Sequence, residues 1–266
     1  MRAVILAAGY GTRLEQDLRN DCSGQFSHLI GVPKPLLPIG SCPLITHWIQ
    51  AFDQTREIRS IVVVVNDLHK KLYEKWRETL PKKVEIVSDG SCSNDERSGA
   101  VACMLVGMQQ CNEDTIFVAG DTLLKKNFSL GALIDKFKVL RQQEPGTCLV
   151  LSAPVSEENV SKHGILEVED SGRVTRFLEK PPSSITSSRL QCPCFYIISS
   201  ESLRHLKNFL EETREKPLNV RDATGLFIAK LIHQAPVYAY HVERRYDVGG
   251  LRSYVECNQE FISECH

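Results

Sequence analysis

The chain begins with the stretch RAVILAAGYGTRL, residues 2–14, in which an apolar run leads directly into a glycine loop. The run from Arg2 to Ala7 contains Val and Ile and lacks helical spacing, which predicts a buried β-strand. Because glycine accepts positive φ and close approach, N–H groups around Gly9 and Gly11 can converge on phosphate oxygens. A Gly-x-Gly pattern is equally consistent with a plain tight turn, and Leu14 occupies the position where a dinucleotide fingerprint has its third glycine.

The composition is that of an ordinary globular protein, with 266 residues of which 42% are hydrophobic. The 32 Lys and Arg nearly balance the 33 Asp and Glu, so neither nucleic acid nor an anionic membrane is expected as the main partner. The longest aliphatic run, Ile61 to Val65, is too short to span a bilayer. The N-terminus has no signal-peptide pattern, so we expect a cytoplasmic protein. The ten cysteines form no Cys-x-x-Cys pair, which favours reduced thiols.

The first half of the chain alternates between short apolar runs and amphipathic segments. Further buried strands are predicted at 61–65, 84–87, 115–119 and 147–153. Helices are predicted after Pro43, along Leu68, Leu72, Trp76 and Leu80, over 98–110 with Ser98 as the cap, and after Ser129. This alternation predicts an α/β fold of Rossmann-like type, with a mixed, mainly parallel sheet flanked by helices.

The second half has a different texture. Residues 164–169 and 173–178 predict a hairpin, and strands are expected at 194–198 and 237–242. Helices are expected near 200–213 and 222–233 and from Leu251 onward. We therefore predict one domain over residues 1–266, with a small antiparallel platform inserted in its C-terminal half.

Three charged residues stand out beside the glycine loop. Lys34 lies between two prolines in VPKPLLP, residues 32–38, where a rigid apolar segment can aim its charge at phosphate. Asp121 and Asp247 each follow a predicted strand, at the sheet edge where open α/β sheets bind ligands. Each aspartate alone is more often a turn or cap residue. Together with a phosphate loop, two carboxylates fit a Mg²⁺ site, because magnesium is typically bound by one or two carboxylates plus substrate phosphates.

The ordered set of these motifs resembles the sugar-phosphate nucleotidyltransferases. The set comprises the glycine loop, PKPLLP (33–38), Gly120-Asp121, Glu179-Lys180-Pro181 and Tyr246-Asp247-Val248-Gly249, and it extends over nearly the whole chain. The layout is most similar to the catalytic domain of glucose-1-phosphate thymidylyl- and uridylyltransferases. The resemblance implies an enzyme that makes an NDP-sugar and pyrophosphate from a nucleoside triphosphate and a sugar 1-phosphate, with Mg²⁺ as the cofactor.

The resemblance also implies roles for individual residues. The implied catalytic groups are Arg13 and Lys34, and the implied metal ligands are Asp121 and Asp247. The implied nucleotide contacts are Gly9, Gly11, Thr12, Asn94 and Gly99, and the implied sugar-phosphate contacts are Gly164, Glu179 and Lys180. Residues 1–153 would then be the nucleotide-binding part and residues 154–266 the sugar-phosphate-binding part.

Other readings of the same residues stay open. Gly164 can simply start a strand, and Glu179 and Lys180 can be an exposed pair of little energetic value. Where the family usually carries Pro and Thr after its Arg-Leu pair, this chain has Glu15, Gln16 and Asp17, so an inactive homologue acting as a binding module is the alternative function. A nicotinamide-dependent oxidoreductase is disfavoured by the incomplete glycine fingerprint. The particular base and sugar, and any homo-oligomer, are left undetermined.

Overall fold

The strand that opens the chain lies inside a large sheet in the computed structural model, which describes residues 1–109, 112–125 and 127–263. The strands are β1 (Arg2–Leu6), β2 (Pro38–Ile39), β3 (Cys42–Pro43), β4 (Ser60–Val65), β5 (Glu85–Ser88), β6 (Thr115–Ala119), β7 (Thr122–Leu124), β8 (Cys148–Pro154), β9 (Gly164–Val168), β10 (Val174–Glu179), β11 (Leu190–Gln191), β12 (Phe195–Ile198), β13 (Val237–His241) and β14 (Arg245–Asp247). The helices are α1 (Thr12–Asn20), α2 (Leu44–Asp53), α3 (Lys70–Arg77), α4 (Ala100–Met108), α5 (Leu130–Gln143), α6 (Arg204–Glu212), α7 (Leu218–Asp222), α8 (Thr224–Leu231) and α9 (Leu251–Ser263).

Ten strands of the described chain form one mixed sheet, which confirms the predicted fold class. The order is β10-β9-β11-β8-β12-β6-β1-β4-β5, and β13 pairs in parallel with β8. Strand β1 runs parallel to both β4 and β6, whereas β12 enters antiparallel between β6 and β8. The predicted hairpin is β9 and β10, and together with β11 it forms the antiparallel platform. The two halves of the chain therefore share one sheet.

Two hydrophobic clusters cover the two faces of this sheet. Successive side chains of a strand point to opposite faces, so Ala3 and Ile5 pack into one cluster and Val4 into the other. The first cluster includes residues of α2, α3, α5 and α9. The second includes residues of α4, α6 and α8. Burial on both faces explains why the central strands are uniformly apolar.

Several local predictions were wrong. Helix α1 was not expected, because Leu14 and Leu18 are its only buried residues. Helix α4 begins at Ala100 after Gly99, without a side-chain cap from Ser98; it ends at Met108, and the predicted end at 110 lies outside the described residues. Near α3, Leu68 and Leu72 are exposed, while Tyr73 and Trp76 are buried. No helix in the described parts of the chain is long and apolar enough to cross a membrane.

Candidate active site

The glycine loop leads directly into helix α1. Gly11 is the residue before the helix, with φ 62°, and no side chain caps the helix start. The first bond within the helix runs from Glu15 N–H to the Gly11 carbonyl, at 3.0 Å. The backbone N–H groups of Thr12 and Arg13 therefore have no acceptor within the helix. With the helix dipole, such N–H groups favour an anion at this end of α1.

Two further segments meet the glycine loop at the carboxyl ends of β1 and β6. A Cβ added at Gly120 would lie 2.9 Å from Pro35 Cγ and 3.0 Å from the Leu6 carbonyl oxygen, so only glycine fits there. The Lys34 side chain, 12% exposed, passes close to Gly11, and its Nζ lies 3.8 Å from Asp121 Oδ2. The packing thus brings the glycine loop, the lysine segment and Gly120-Asp121 together.

Asp247 reaches the same place through a second, two-stranded sheet. Strand β14 pairs antiparallel with β7, and the Val248 N–H donates to the Asp121 carbonyl oxygen at 3.1 Å. The Lys34 ammonium donates to the Gly249 carbonyl oxygen at 3.1 Å. Asp247 is consequently anchored beside Asp121, so the two carboxylates lie near each other.

Two carboxylates and two cationic side chains meet at this point. Burial, followed by the charge of Asp247, raises the pKa of Asp121, while Lys34 and Arg245 oppose the rise. Arg245, 10% exposed, forms an ion pair with Asp247 through Oδ2, and the other oxygen of that carboxylate can still accept. A divalent cation bound here would offset the repulsion that Asp121 experiences from Asp247, and carboxylate oxygens are donors that Mg²⁺ prefers.

The residues present therefore fit a magnesium ion shared with phosphate. No group of three or more His, Cys, Asp and Glu side chains that could hold a metal occurs within residues 1–109, 112–125 and 127–263. A closed, all-protein cage is thus not available in these ranges. Magnesium usually completes its coordination with water and substrate phosphates rather than with protein ligands. Asp121 and Asp247 suit that arrangement because the helix N-terminus of α1 lies beside them.

A cleft of about 260 Å³, here called the inner cleft, opens next to the glycine loop. Its walls include Leu6, Ala8, Gly9, Asp89, Arg97, Gly99, Ala100, Cys103, Ala119, Cys194, Asp222 and Thr224. A Cβ at Gly9 would meet nothing within 4 Å, so Gly9 faces open space. Gly99 has φ 97°, and a Cβ added there would lie only 3.1–3.3 Å from the Arg221–Asp222 backbone. Packing within the protein therefore explains why residue 99 is a glycine.

A separate cleft of about 260 Å³, the outer cleft, lies on the other side of the glycine loop. It is lined by residues that include Gly11, Thr12, Lys34, His69 and Asn94. Asn94 does not line the inner cleft with Gly99. Its Oδ1 instead accepts a hydrogen bond of 2.7 Å from Arg97, which does line the inner cleft.

The three predicted sugar-phosphate residues share a third space, the polar cleft, of about 440 Å³. Its walls are Arg97, Lys162, His163, Gly164, Phe177, Glu179, Lys180, Cys192, Cys194, Tyr196, Asn219, Asp222, Ala223, Thr224 and Gly225. A Cβ at Gly164 would overlap the Phe177 ring, and a Cβ at Gly225 would overlap the Glu179 carboxylate. Two glycines thus make room for side chains of β10. Burial raises the pKa of Glu179, with Lys180 opposing the rise.

Lys180 has a backbone conformation that bears on its role. Neighbouring residues in an extended strand point to opposite faces, but Lys180 has φ 48°. Its Nζ consequently comes within 3.8 Å of Glu179 Oε1, and both side chains line the polar cleft. The Lys180 N–H donates to the His163 carbonyl oxygen at 3.1 Å, which holds the turn. A non-glycine residue in this conformation is uncommon and often marks a functional position.

Sequence analysis missed Arg97, Asp222 and Arg245. Arg97 Nη2 lies 3.2 Å from Asp222 Oδ2, and Asp222 Oδ1 accepts from the Ala100 N–H at 2.7 Å. Asp222 thus caps α4 from a position 122 residues away, and no local pattern indicates it. Arg245 precedes the predicted ligand Asp247 by two residues, and this spacing was its one sequence signal. In a strand, a spacing of two residues places both side chains on the same face.

The fold and the candidate site together are those of an α/β protein with a glycine loop before a helix, a carboxylate pair and adjoining clefts. A model of the nucleotidyl transferase family matches residues 2–264, and the chain belongs to this family.

Comparison with curated proteins gives relatives of one chemical type. The chain is 26% identical to the UTP–glucose-1-phosphate uridylyltransferase of Haemophilus influenzae, over 98% of this chain and 92% of that protein. It is 27% identical to the catalytic subunit beta of mannose-1-phosphate guanylyltransferase of Danio rerio, over 78% of this chain and 52% of that protein. These relatives are sugar-1-phosphate nucleotidyltransferases, the class that the sequence predicted.

Solved structures agree in fold. An apo UDP-glucose pyrophosphorylase aligns with a TM-score of 0.76 at 18% identity, covering 100% of this chain and 99% of that one. A UTP-bound UGPase from Acinetobacter baumannii aligns with a TM-score of 0.70 at 19% identity, covering 98% of this chain and 92% of that one. The fold of these enzymes is therefore the fold of this chain.

Proposed function

We propose that this protein is an active, Mg²⁺-dependent sugar-1-phosphate nucleotidyltransferase. The observation that carries the proposal is the convergence of Lys34, Asp121 and Asp247 beside the free N-terminus of α1. A protein that only bound nucleotide would have no need for a largely buried lysine paired with a carboxylate beside the glycine loop. The relatives supply the substrate class, since they are named for transfer to glucose 1-phosphate or mannose 1-phosphate.

In this proposal the nucleoside lies in the inner cleft, and its phosphates lie along the glycine loop toward Thr12 and Arg13. The sugar occupies the polar cleft, where Glu179 accepts hydrogen bonds from hydroxyl groups and Lys180 pairs with the sugar phosphate. A phosphate oxygen of the sugar 1-phosphate attacks the α-phosphorus, the bond from that phosphorus to the bridging oxygen breaks, and pyrophosphate leaves. No side-chain nucleophile takes part.

The catalytic contribution of the chain is positioning and charge stabilisation. Lys34 and Arg13 donate to phosphoryl oxygens as negative charge develops on them. Asp121 and Asp247 would hold Mg²⁺, which supplies Lewis-acid neutralisation of the phosphates when bound. Arg245 fixes the orientation of Asp247 by its ion pair. Lys34 and Arg245 are thereby held in place before the substrates arrive, which avoids a reorganisation cost during the reaction.

Pyrophosphate release across a panel of substrates tests the proposal. The panel crosses UTP, GTP, ATP, CTP and dTTP with glucose 1-phosphate and mannose 1-phosphate, with Mg²⁺ or with EDTA. We expect release with at least one pair, formation of the matching NDP-sugar, and loss of both products in EDTA. Nucleotide binding without pyrophosphate release from any pair would instead support the binding-module alternative and overturn the proposal.

A further inference from the structure

The residues that depart from the family pattern, Glu15-Gln16-Asp17, lie on helix α1. Two of their carboxylates bond to distant backbone groups. Asp17 Oδ2 accepts from the Leu251 N–H at 3.0 Å, across 234 residues of sequence. Glu15 Oε2 accepts from the Gly31 N–H at 3.0 Å. Both carboxylates of this stretch therefore accept a hydrogen bond from a distant part of the chain.

We propose that Asp17 is a positioning residue, which holds the Asp247 segment against the phosphate loop by capping α9 from α1. The inference rests on the proposed function only in naming Asp247 as a metal ligand. The N–H of Leu251, the first residue of α9, has no partner within its own helix. A side-chain oxygen at this point satisfies that N–H group, and the cap acts through this hydrogen bond.

Only a few residues separate this cap from the candidate site on both helices. Asp17 lies one helical turn beyond Arg13, on the same face of α1. Leu251 lies four residues beyond Asp247, and the intervening segment is already bonded to Asp121 through Val248 N–H, at 3.1 Å. Lys34 bonds the next residue, through its carbonyl oxygen. Asp17 adds the attachment at the far end of the segment, so the phosphate loop and Asp247 are held by one rigid helix.

Gly250 offers a second way to test the same contact. A Cβ at Gly250 would lie 2.6 Å from Asp17 Oδ2. The clash involves the end of a flexible side chain, so Gly250→Ala would displace the Asp17 carboxylate while the backbone keeps its path. Glu15 acts in parallel on the lysine segment, since Gly31 precedes Lys34 by three residues.

The test compares Asp17→Ala, Asp17→Asn and Gly250→Ala with the wild-type protein. Gln16→Ala is the matched control, because Gln16 is an exposed neighbour on the same helix. Amide hydrogen exchange on the metal-free protein reports whether residues 248–251 are held. Mn²⁺ binding, followed by electron paramagnetic resonance, reports on the carboxylate pair without any reaction.

We expect faster exchange at Leu251 and about tenfold weaker Mn²⁺ binding in Asp17→Ala and Gly250→Ala, as for other residues that orient metal ligands. Asp17→Asn should restore both, because its Oδ1 still accepts the hydrogen bond. In turnover assays, Asp17→Ala should lower kcat and leave KM for the nucleoside triphosphate nearly unchanged. Gln16→Ala should match the wild type throughout.

Unchanged exchange at 248–251 in both Asp17→Ala and Gly250→Ala would overturn the positioning role. Failure of Asp17→Asn to restore exchange would overturn it also, because charge rather than the hydrogen bond would then matter. If Asp17→Ala does not fold, Gly250→Ala decides alone. A wild-type protein that releases no pyrophosphate would defeat the proposed function, whereas the exchange measurement would still decide the role of Asp17.

Discussion

Replacing Lys34 by Met removes one charge and keeps the length of the side chain, so the contact of its stem with Gly11 survives. At the 3.8 Å that separates Lys34 Nζ from Asp121 Oδ2, the Coulomb attraction is about 4 kcal/mol at an effective dielectric of about 20. Asp121 is 35% exposed, and solvent screening reduces the stabilisation to about 1–2 kcal/mol. The metal-free variant should therefore unfold more easily by about that amount.

The kinetic effect of Lys34→Met should be larger than the effect on stability. Loss of one preorganised donor to a developing phosphoryl charge is worth about 3 kcal/mol, or about 10²-fold in kcat. Pyrophosphate release at saturating Mg²⁺ measures the rate, and urea unfolding with and without Mg²⁺ measures stability. Mg²⁺ should recover part of the lost stability, because it supplies positive charge to the same two carboxylates.

Lys82→Met is the matched control for this experiment. Lys82 lies between α3 and β5, and its Nζ is 2.9 Å from Asp53 Oδ1, a shorter ion pair than that of Lys34. Its removal should leave kcat unchanged. A Lys34→Met enzyme that retained a rate within about threefold of the wild type would refute the argument, because the lysine would then be only a structural bridge to Gly249.

Four further outcomes are expected. Arg13→Ala should lower kcat about 10²-fold with the fold intact, since one donor to the developing phosphoryl charge is lost; near-normal turnover would remove the glycine loop from the phosphate site. Asp121→Asn and Asp247→Asn should each weaken Mg²⁺ dependence, and the double variant should lose less than the product of the single losses, because the pair acts jointly; a loss exceeding that product counts against a shared metal. Lys180→Ala should raise KM for the sugar phosphate more than for the nucleotide, by about 10-fold or more for a lost charge-assisted bond; equal effects on the two KM values would exclude a contact between Lys180 and the sugar phosphate. Burial lowers the pKa of His205, so the unfolded chain binds more protons below about pH 6.5 and stability should fall as the pH falls; urea unfolding of His205→Gln should show a flatter pH dependence, and an unchanged slope would exclude His205 as its source.

The central strands could be predicted from sequence because burial on both faces leaves an unmistakable apolar run. Val62 to Val65, for example, is buried throughout. Helix α1 could not be predicted in the same way, because only two of its nine residues are buried and the rest are polar or charged. Its position is fixed by Gly11 and by contacts to α9, and neither produces a local periodic pattern.

The residues of the candidate site likewise differ in whether a sequence pattern indicates them. The glycine loop and Asp121 were predictable because the parallel strands β1 and β6 end at one edge, where loop residues gather. Lys34 and Asp247 lie outside those two strands, and the ordered set of motifs indicated them. Asp222 was not predictable, because its role depends on a hydrogen bond that its carboxylate accepts from the Ala100 N–H, 122 residues away in sequence. Ser98 appeared to be the better cap from sequence alone. A distant carboxylate took that place because Gly99 packs directly on the Asp222 backbone.

The relation between the inner and polar clefts explains why both halves of the chain must share one sheet. The two clefts have four wall residues in common, namely Arg97, Cys194, Asp222 and Thr224. Cys194 directly precedes β12, which inserts between β6 and β8, so the strand that joins the halves also leads into the common wall. A transfer between two phosphate groups needs the reacting atoms about 3–3.5 Å apart, and clefts on separate units would lose that spacing with every relative motion. A common wall built on the sheet holds the spacing without a hinge, and the pairing of Arg97 with Asp222 at 3.2 Å fixes two of the residues of that wall to each other.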